Sequence, residues 1–146
     1  MKTSDRGINL IKKFEGLRLI AYKPVGSEKY YTIGYGHYGS DIMKGQKITE
    51  KQAEEFLRKD LQYFENEVTK SLKGKVMLQH KFDALVSFTY NVGVGNFNRS
   101  TLLKKVQDNP ADITIRQEFE KWNKAGGKVL FGLKRRRKAE ADLYFS

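Results

Sequence analysis

The chain contains no cysteine among its 146 residues, and it has only two histidines. The absence of cysteine excludes disulfide bonds and thiolate ligands, so the core alone must stabilise the fold. With His37 and His80 as the only imidazoles, a zinc site lacks the donors that it needs. We therefore predict that the protein uses no metal and no other cofactor.

Long apolar runs are missing as well. No segment approaches the ~20 apolar residues that a membrane-spanning helix requires, so we expect no membrane insertion. Residues 1–7 lack the apolar stretch of a secretion signal. This start predicts synthesis in the cytoplasm of the producing cell.

Positive charge, by contrast, is abundant. The chain has 28 Lys and Arg residues but only 17 Asp and Glu residues, which gives a net charge of +11. Such a balance predicts an anionic partner, for which bacterial wall polymers and nucleic acids both qualify. The run Lys134-Arg135-Arg136-Arg137-Lys138 has the composition of a nucleic-acid-binding helix, but it is equally typical of a solvent-exposed helix face. The charge alone does not choose between these alternatives.

The spacing of apolar residues predicts an α+β fold that is mostly α, with a small N-terminal antiparallel sheet. Residues 3–14 form an amphipathic helix that one of the polar residues 3–5 caps. Strands follow over 17–37, joined by a turn at 24–29. Thr49-Glu50-Lys51-Gln52 is a capping box that opens a long helix. Further helices are expected at 77–91, from about 100, up to about 122 and from about 133. We predict one domain, 1–146, with a β lobe over about 17–48, a linking helix over about 49–72, and a helical lobe over about 73–146 plus the N-terminal helix.

Glu15 stands at the predicted C-terminus of the first helix, where Gly16 is the expected stop. The negative end of the helix dipole disfavours a carboxylate there, so the side chain tends to keep the proton that a general acid needs. A neighbouring Lys or Arg would oppose this effect. Glu15 is therefore a candidate proton donor only if a second feature supports it.

That second feature is the segment Thr32-Ile33-Gly34-Tyr35-Gly36-His37. If the segment is one strand, Thr32 and both glycines share a face with little side-chain relief, which suits close approach of a ligand. The same glycines are equally typical of a bend that turns an edge strand. His37 falls on the opposite face, where we expect a structural histidine that bonds across the strands.

The two segments occur in the order that a known family shows. Phe14-Glu15-Gly16-Leu17-Arg18-Leu19 and Tyr30-Tyr31-Thr32-Ile33-Gly34-Tyr35-Gly36-His37 resemble the catalytic segment of phage-type lysozymes, the endolysins of glycoside hydrolase family twenty-four. Residues 84–97, 100–103 and 119–137 are similar to the later segments of that family. The resemblance implies a two-lobed, lysozyme-like fold. It also implies muramidase activity, which is hydrolysis between N-acetylmuramic acid and N-acetylglucosamine in bacterial peptidoglycan.

The resemblance assigns roles to individual residues. Glu15 matches the general acid and Thr32 the threonine that helps to place the attacking water. Tyr38, Tyr90 and Ser100 match positions that contact the glycan. A protein of this kind acts as a monomer on peptidoglycan glycan strands, with no nucleic acid as partner. It reaches the wall in the periplasm only after a separate pore-forming protein releases it from the host cytoplasm.

The chain departs from the family at one catalytic position. Family members usually carry an aspartate, or sometimes a cysteine, shortly after the segment that matches Ala21-Tyr22-Lys23, whereas residues 24–29 here are Pro-Val-Gly-Ser-Glu-Lys. Glu28 is the only carboxylate between Glu15 and Thr32. We predict that Glu28 replaces the aspartate as the base, which in an inverting glycosidase lies about 6.5–9.5 Å from the acid.

Three alternatives to this mechanism stay open. Glu28 can instead lie on an exposed hairpin tip beside Lys29, and a site without a base favours the first alternative, a lytic transglycosylase that uses the sugar's own hydroxyl in place of water. A wall-binding homologue without activity is the second alternative. A basic nucleic-acid-binding protein is the third.

Overall fold

The computed structural model describes residues 1–146 and contains seven α-helices, a three-stranded antiparallel sheet and a two-stranded hairpin. The elements are α1 Asp5–Glu15, β1 Arg18–Tyr22, β2 Tyr31–Gly34, β3 His37–Gly39, α2 Glu50–Ser71, α3 Gln79–Val92, α4 Val94–Arg99, α5 Thr101–Asp108, α6 Ile115–Glu120, β4 Lys124–Ala125, β5 Lys128–Val129 and α7 Phe131–Tyr144. The predicted fold class, mostly helical with a small N-terminal sheet, is confirmed. No helix combines the length and the apolar character that crossing a membrane requires.

Helix α3 forms the centre of the helical part, and its residues 82–89 are all buried. A helix that is buried on every side packs against neighbours around its circumference, and α3 contacts α1, α2, α4 and α7. The ring of Phe88 meets those of Phe97, Phe119 and Trp122 edge-on, with centroids 5.6–6.3 Å apart. Because α1 and α7 both pack on α3 and on each other, the C-terminus of α1 lies near α7.

The start of α1 differs from the prediction, because no side chain caps the helix. The N-cap residue is Ser4, whose backbone N–H and hydroxyl both donate to the carboxylate of Asp83 in α3. The N–H and hydroxyl of Thr3 donate to Glu65 Oε2 in α2, at 2.6 and 2.7 Å. The predicted cap was therefore wrong, since these polar groups tie the chain start to two other helices instead.

The predicted capping box at the start of α2 is confirmed. The Thr49 hydroxyl accepts from the Gln52 N–H at 3.1 Å, and the Gln52 side chain accepts from the Thr49 N–H at 2.9 Å. Helix α2 packs on α3 and also on β2 and β3, so it joins the sheet to the helical part. The exact division of the chain into lobes stays a prediction.

The segment from Thr32 to His37 is not one strand. The central strand β2 ends at Gly34, a turn follows at Tyr35-Gly36, and β3 returns antiparallel with Thr32 opposite Tyr38. The φ angles are +69° at Gly34 and +97° at Gly36, a region that only glycine adopts without strain. The bend was the correct alternative, and the predicted flat face of Thr32, Gly34 and Gly36 was wrong.

The hairpin of β4 and β5 was not predicted. Lys124 pairs with Val129 and Ala125 with Lys128, around Gly126-Gly127, which both have positive φ. A Gly-Gly pair between two short segments is a signal for a two-residue hairpin loop, so the sequence did carry this information. Helix α7 begins two residues after the hairpin ends.

Candidate active site

Glu15 is the last residue of α1, and Gly16 turns the chain away with a φ of +74°. Its side chain is 20% exposed and lines an open cleft of about 610 Å³. The cleft lies between the β2–β3 hairpin and the helices α2 and α3. Its lining residues are Glu15, Gly36, Tyr38, Lys59, Asp60, Tyr63, Phe64, Tyr90 and Asn91.

A buried arginine of α7 holds the Glu15 carboxylate. Arg136 is 3% exposed, and its Nη1 donates to Glu15 Oε2 at 2.7 Å. Its Nη2 donates to the carbonyl of Ser87 and its Nε to Glu140 Oε2, both at 3.1 Å. Arg136 therefore fixes the position of the Glu15 carboxylate.

Glu140 joins Arg136 to a second buried arginine. Arg137 donates to Glu140 Oε1 at 2.6 Å, to the carbonyl of Trp122 at 2.9 Å, and to the side-chain oxygen of Asn91. Burial lowers the pKa of Arg137, and the negative charge of Glu140 acts against this shift. The two arginines and the two glutamates balance in charge, so the network places Glu15 without leaving a buried charge unpaired.

The basic run of α7 is thus not a uniformly solvent-exposed face. Arg136 and Arg137 are buried, whereas Lys134, Arg135 and Lys138 are exposed. The solvent-exposed alternative is correct only for these outer three residues.

The β2–β3 turn approaches the other side of Glu15. A Cβ atom at Gly36 would lie 3.3 Å from Glu15 Oε1 and 3.4 Å from the hydroxyl of Tyr90. That hydroxyl donates to the carbonyl of Tyr35 at 3.1 Å. Burial raises the pKa of Tyr90, and the charge of Glu15 acts in the same direction, so Tyr90 stays neutral and holds the turn in place. The atoms nearest to Gly36 thus belong to the Glu15 and Tyr90 side chains, and close approach of a ligand to this segment stays a prediction.

Thr32 lies in the central strand and is 8% exposed. Directly paired residues of an antiparallel sheet project from the same face, so Thr32 projects beside its partner Tyr38. Tyr38 is 48% exposed, lines the cleft and packs against Tyr30 with ring centroids 5.6 Å apart. The sheet therefore brings Tyr38 to the wall of the Glu15 cleft, whereas Thr32 lies beside Tyr38 and is not itself a lining residue.

Two predicted site residues lie elsewhere. Glu28 is half-buried on the β1–β2 connection, where its N–H donates to the carbonyl of Val25, and it does not line the cleft. Ser100 is 3% exposed and begins α5: its hydroxyl donates to the carbonyl of Phe97 and accepts from the N–H of Leu103. Ser100 is thus the N-cap of α5 and lies outside the cleft lining, and its contact with the glycan stays a prediction.

His37 bonds to α2 and a loop, not across the strands as predicted. Its Nδ1 lies 2.7 Å from Asp60 Oδ2 and its Nε2 lies 2.9 Å from Asp41 Oδ2. Its ring stacks on Phe56 with centroids 4.7 Å apart. Burial lowers the pKa of His37, but the hydrogen bonds and charges of Asp60 and Asp41 outweigh this and raise it. His37 is therefore a structural partner of the cleft residue Asp60.

Helix α2 forms one wall of the cleft, which the sequence analysis did not predict. Lys59, Asp60 and Tyr63 are spaced as neighbours on one helix face, and all three line the cleft. The ring of Tyr63 is 57% exposed and meets Phe64 edge-on at 5.2 Å. An exposed tyrosine one helical turn from Asp60 was the available signal, because its ring and its hydroxyl can both contact a ligand.

A carboxylate in an open cleft between a small sheet and a helical body, braced by a buried arginine, defines a lysozyme-like domain. The chain belongs to the phage lysozyme family, whose family model, Phage lysozyme, matches residues 12–140. It is 55% identical over 146 residues to the endolysin of Bacillus phage PZA, a match that covers 100% of this chain and 56% of that protein. The chain spans about half the length of the curated relatives that it matches first.

Solved structures agree with this assignment. The muramidase domain of SpmX from Asticaccaulis excentricus has a TM-score of 0.88 at 34% identity, over 99% of this chain and 98% of that chain. The endolysin from Escherichia coli O157:H7 phage FAHEc1 has a TM-score of 0.88 at 38% identity, over 100% and 94%. The predicted family and fold are therefore confirmed.

Proposed function

We propose that the chain is a peptidoglycan muramidase that cleaves the bond between N-acetylmuramic acid and N-acetylglucosamine. The observation that carries the proposal is the Glu15 carboxylate, which faces an open cleft while Arg136 holds its Oε2. Membership of the phage lysozyme family and the similarity to a muramidase domain support the same substrate. A protein that only binds walls needs no carboxylate in such a setting.

In this proposal Glu15 donates its proton to the glycosidic oxygen, and the bond to the anomeric carbon breaks with oxocarbenium-like character. Thr32 helps to place the water that attacks that carbon. The exposed ring of Tyr38 offers an apolar face to a sugar, and Tyr90 positions the hairpin that frames the cleft.

We propose Glu28 as the base that accepts the proton of the water, since it is the only carboxylate on the connection that leads into β2. Its position outside the cleft lining favours the lytic transglycosylase as the competing mechanism, because that reaction requires no second carboxylate.

We further propose that the chain acts as a monomer, without nucleic acid, after a separate pore-forming protein gives it access to the wall from the host cytoplasm. Gel filtration at working concentration tests the monomer, since an elution volume of a dimer would contradict it.

Mass spectrometry of the products tests the function. The protein is incubated with purified peptidoglycan, beside Glu15→Gln as the matched inactive variant. Muropeptides that end in reducing N-acetylmuramic acid establish hydrolysis, whereas products lighter by one water establish a transglycosylase. If neither product appears, the muramidase proposal is overturned and wall or nucleic-acid binding becomes the leading function.

A further inference from the structure

The outer face of α7 carries cations that the Glu15 site does not use. Lys134, Arg135 and Lys138 are exposed, on the opposite side of the helix from the buried Arg136 and Arg137. Residues four positions apart are neighbours on a helix surface, with Cβ atoms about 6 Å apart. Lys134 and Lys138 therefore form a short row of positive charge, with Arg135 beside it.

Most of these cations have no acidic partner. Lys134 and Arg135 form no ion pair, and neither does Lys13 at the end of α1. Arg135 lies over the exposed ring of Phe131, 5.3 Å from its centroid, and Lys13 lies over Phe14 at 5.6 Å. Such cation–ring contacts hold a side chain in place while its charge stays available.

Acidic residues reduce this charge only in part. Asp142 accepts from Lys138 at 3.2 Å, but it also pairs with Arg116 at 2.8 Å, so one carboxylate serves two cations. Glu120 lines the same depression as Lys134, and it forms no ion pair with the cations of α7. The four cations Lys13, Lys134, Arg135 and Lys138 thus exceed the acids around them.

The surface is concave and leads to the active-site carboxylate. Three adjoining depressions of about 360–380 Å³ lie along it, and Arg135 lines all three. The outermost also contains Phe131, Lys134 and Lys138, the middle one contains Lys13, Phe14 and Lys138, and the innermost contains Lys13 and Glu15. We call this surface the α7 groove, defined by Lys13, Lys134, Arg135 and Lys138.

A groove with cations along its length fits a flexible chain that carries a negative charge at every repeat. Phosphodiester groups suit these side chains, because lysine binds phosphate as a point charge and arginine binds it with a planar fork. A bilayer or a DNA duplex is broad and would touch only the rim of the groove. Since the groove ends at Glu15, the chain that fills it has to be attached close to the bond that is cleaved.

We propose that the α7 groove binds a linear phosphodiester polymer that is carried on the glycan strands of the bacterial wall. The location of the attachment point rests on the proposed muramidase function, whereas binding of the polymer does not. Such a contact directs the protein to glycan that is decorated with the anionic polymer.

Binding is measured by cosedimentation, with Glu15→Gln as the parent so that the wall is not digested. Two substrates are compared: walls that retain their phosphate polymer, and the same walls after hydrofluoric acid has removed it. We expect removal of the polymer to weaken binding roughly tenfold. Lys134→Gln/Arg135→Gln/Lys138→Gln, added to the parent, weakens binding to native walls by a similar factor, as three exposed charge contacts are lost, and it has little further effect on stripped walls.

A control variant, Lys51→Gln/Lys75→Gln/Lys104→Gln, removes the same number of positive charges. It changes three exposed lysines that form no ion pair and lie outside the α7 groove. Equal weakening by both triple variants overturns the proposal, because net charge and not the groove then determines binding. The proposal is also overturned if the protein binds stripped walls as tightly as native walls, since the peptide carboxylates of peptidoglycan are then sufficient for binding. A larger effect of the groove variant on DNA or on anionic phospholipid vesicles than on walls assigns the groove to those ligands instead.

Muropeptide release from stripped walls separates this proposal from the proposed function. If the wild-type protein releases muropeptides from stripped walls but polymer removal does not affect binding, only the groove proposal fails. If no muropeptides are released from either wall while binding depends on the polymer, only the muramidase proposal fails. Thermal melting confirms that each variant is folded, which excludes unfolding as the cause of a loss of binding.

Discussion

Glu140→Gln tests whether the buried network around Arg136 stabilises the fold. Glu140 is fully buried and accepts hydrogen bonds from Arg136, Arg137 and the hydroxyl of Ser87, at 3.1, 2.6 and 2.5 Å. The substitution keeps the size of the side chain but leaves Arg137 without a carboxylate. Breaking a buried ion pair in this way costs about 3–5 kcal/mol. For a domain of this length that loss lowers the melting temperature by about 10–15 °C.

Urea denaturation gives the free energy of unfolding, and thermal melting checks it. Glu55→Gln is the matched control, because Glu55 is exposed and has no ion-pair partner, so its effect stays within about 0.5 kcal/mol. In a second step, Arg137→Met in the Glu140→Gln background removes the unpaired cation and recovers part of the lost stability. A loss below about 1 kcal/mol for Glu140→Gln refutes the view that this carboxylate compensates two buried arginines.

Three further substitutions test the cleft. Glu28→Gln lowers the release of reducing-end muropeptides by about 10²-fold if Glu28 is the base, since general catalysis contributes at least that factor. Gly36→Ala costs about 1–3 kcal/mol of stability and lowers activity, because its φ of +97° is strained for alanine and the new methyl group crowds Glu15. His37→Gln lowers the melting temperature most at acidic pH. The raised pKa of His37 means that its stabilising pair with Asp60 is complete below pH about 6.5 and is lost as pH rises through the raised value.

Each of these substitutions has a control elsewhere in the chain. Glu50→Gln changes an exposed carboxylate, and full activity of both Glu28→Gln and Glu50→Gln would exclude Glu28 as the base. Gly26→Ala changes a glycine with open space around it and without a positive φ, so it should be tolerated. His80→Gln removes a histidine with no hydrogen-bond partner. If the melting temperature of His80→Gln depends on pH in the same way as that of His37→Gln, the ion pair between His37 and Asp60 is not the cause of the pH dependence.

The parts of the site that the sequence predicted depend on local signals. Glu15 at the end of α1, the stop at Gly16 and the capping box at Thr49 are all determined by residues within four positions of each other. Glycines in the segment after Thr32 also indicated a bend, and the structure contains it at Tyr35-Gly36. Such features follow from backbone geometry and need no knowledge of tertiary contacts.

The parts that were missed depend on contacts between distant segments. Arg136 reaches Glu15 across 121 positions of the chain, and the polar residues near the start of α1 bind α2 and α3 instead of capping their own helix. One signal was nevertheless available in α7. Arg136, Arg137, Glu140 and Ala141 recur at the spacing of one helix face, so periodicity alone separates the buried arginines from the exposed Lys134 and Lys138.

The two oxygens of Glu15 have different surroundings, and this difference bears on how one residue can be both fixed and reactive. Oε2 accepts from Arg136, whereas Oε1 lies toward Gly36 and the Tyr90 hydroxyl at the cleft. Because Arg136 also binds Glu140 and Ser87, it is held in place whether or not Glu15 carries a proton. In the proposed mechanism, a proton on Oε1 would face the cleft, where the glycosidic oxygen would bind. The absence of a side chain at Gly36 leaves Oε1 accessible, so the bend in the sheet and the arginine of α7 would both serve this proposed proton transfer.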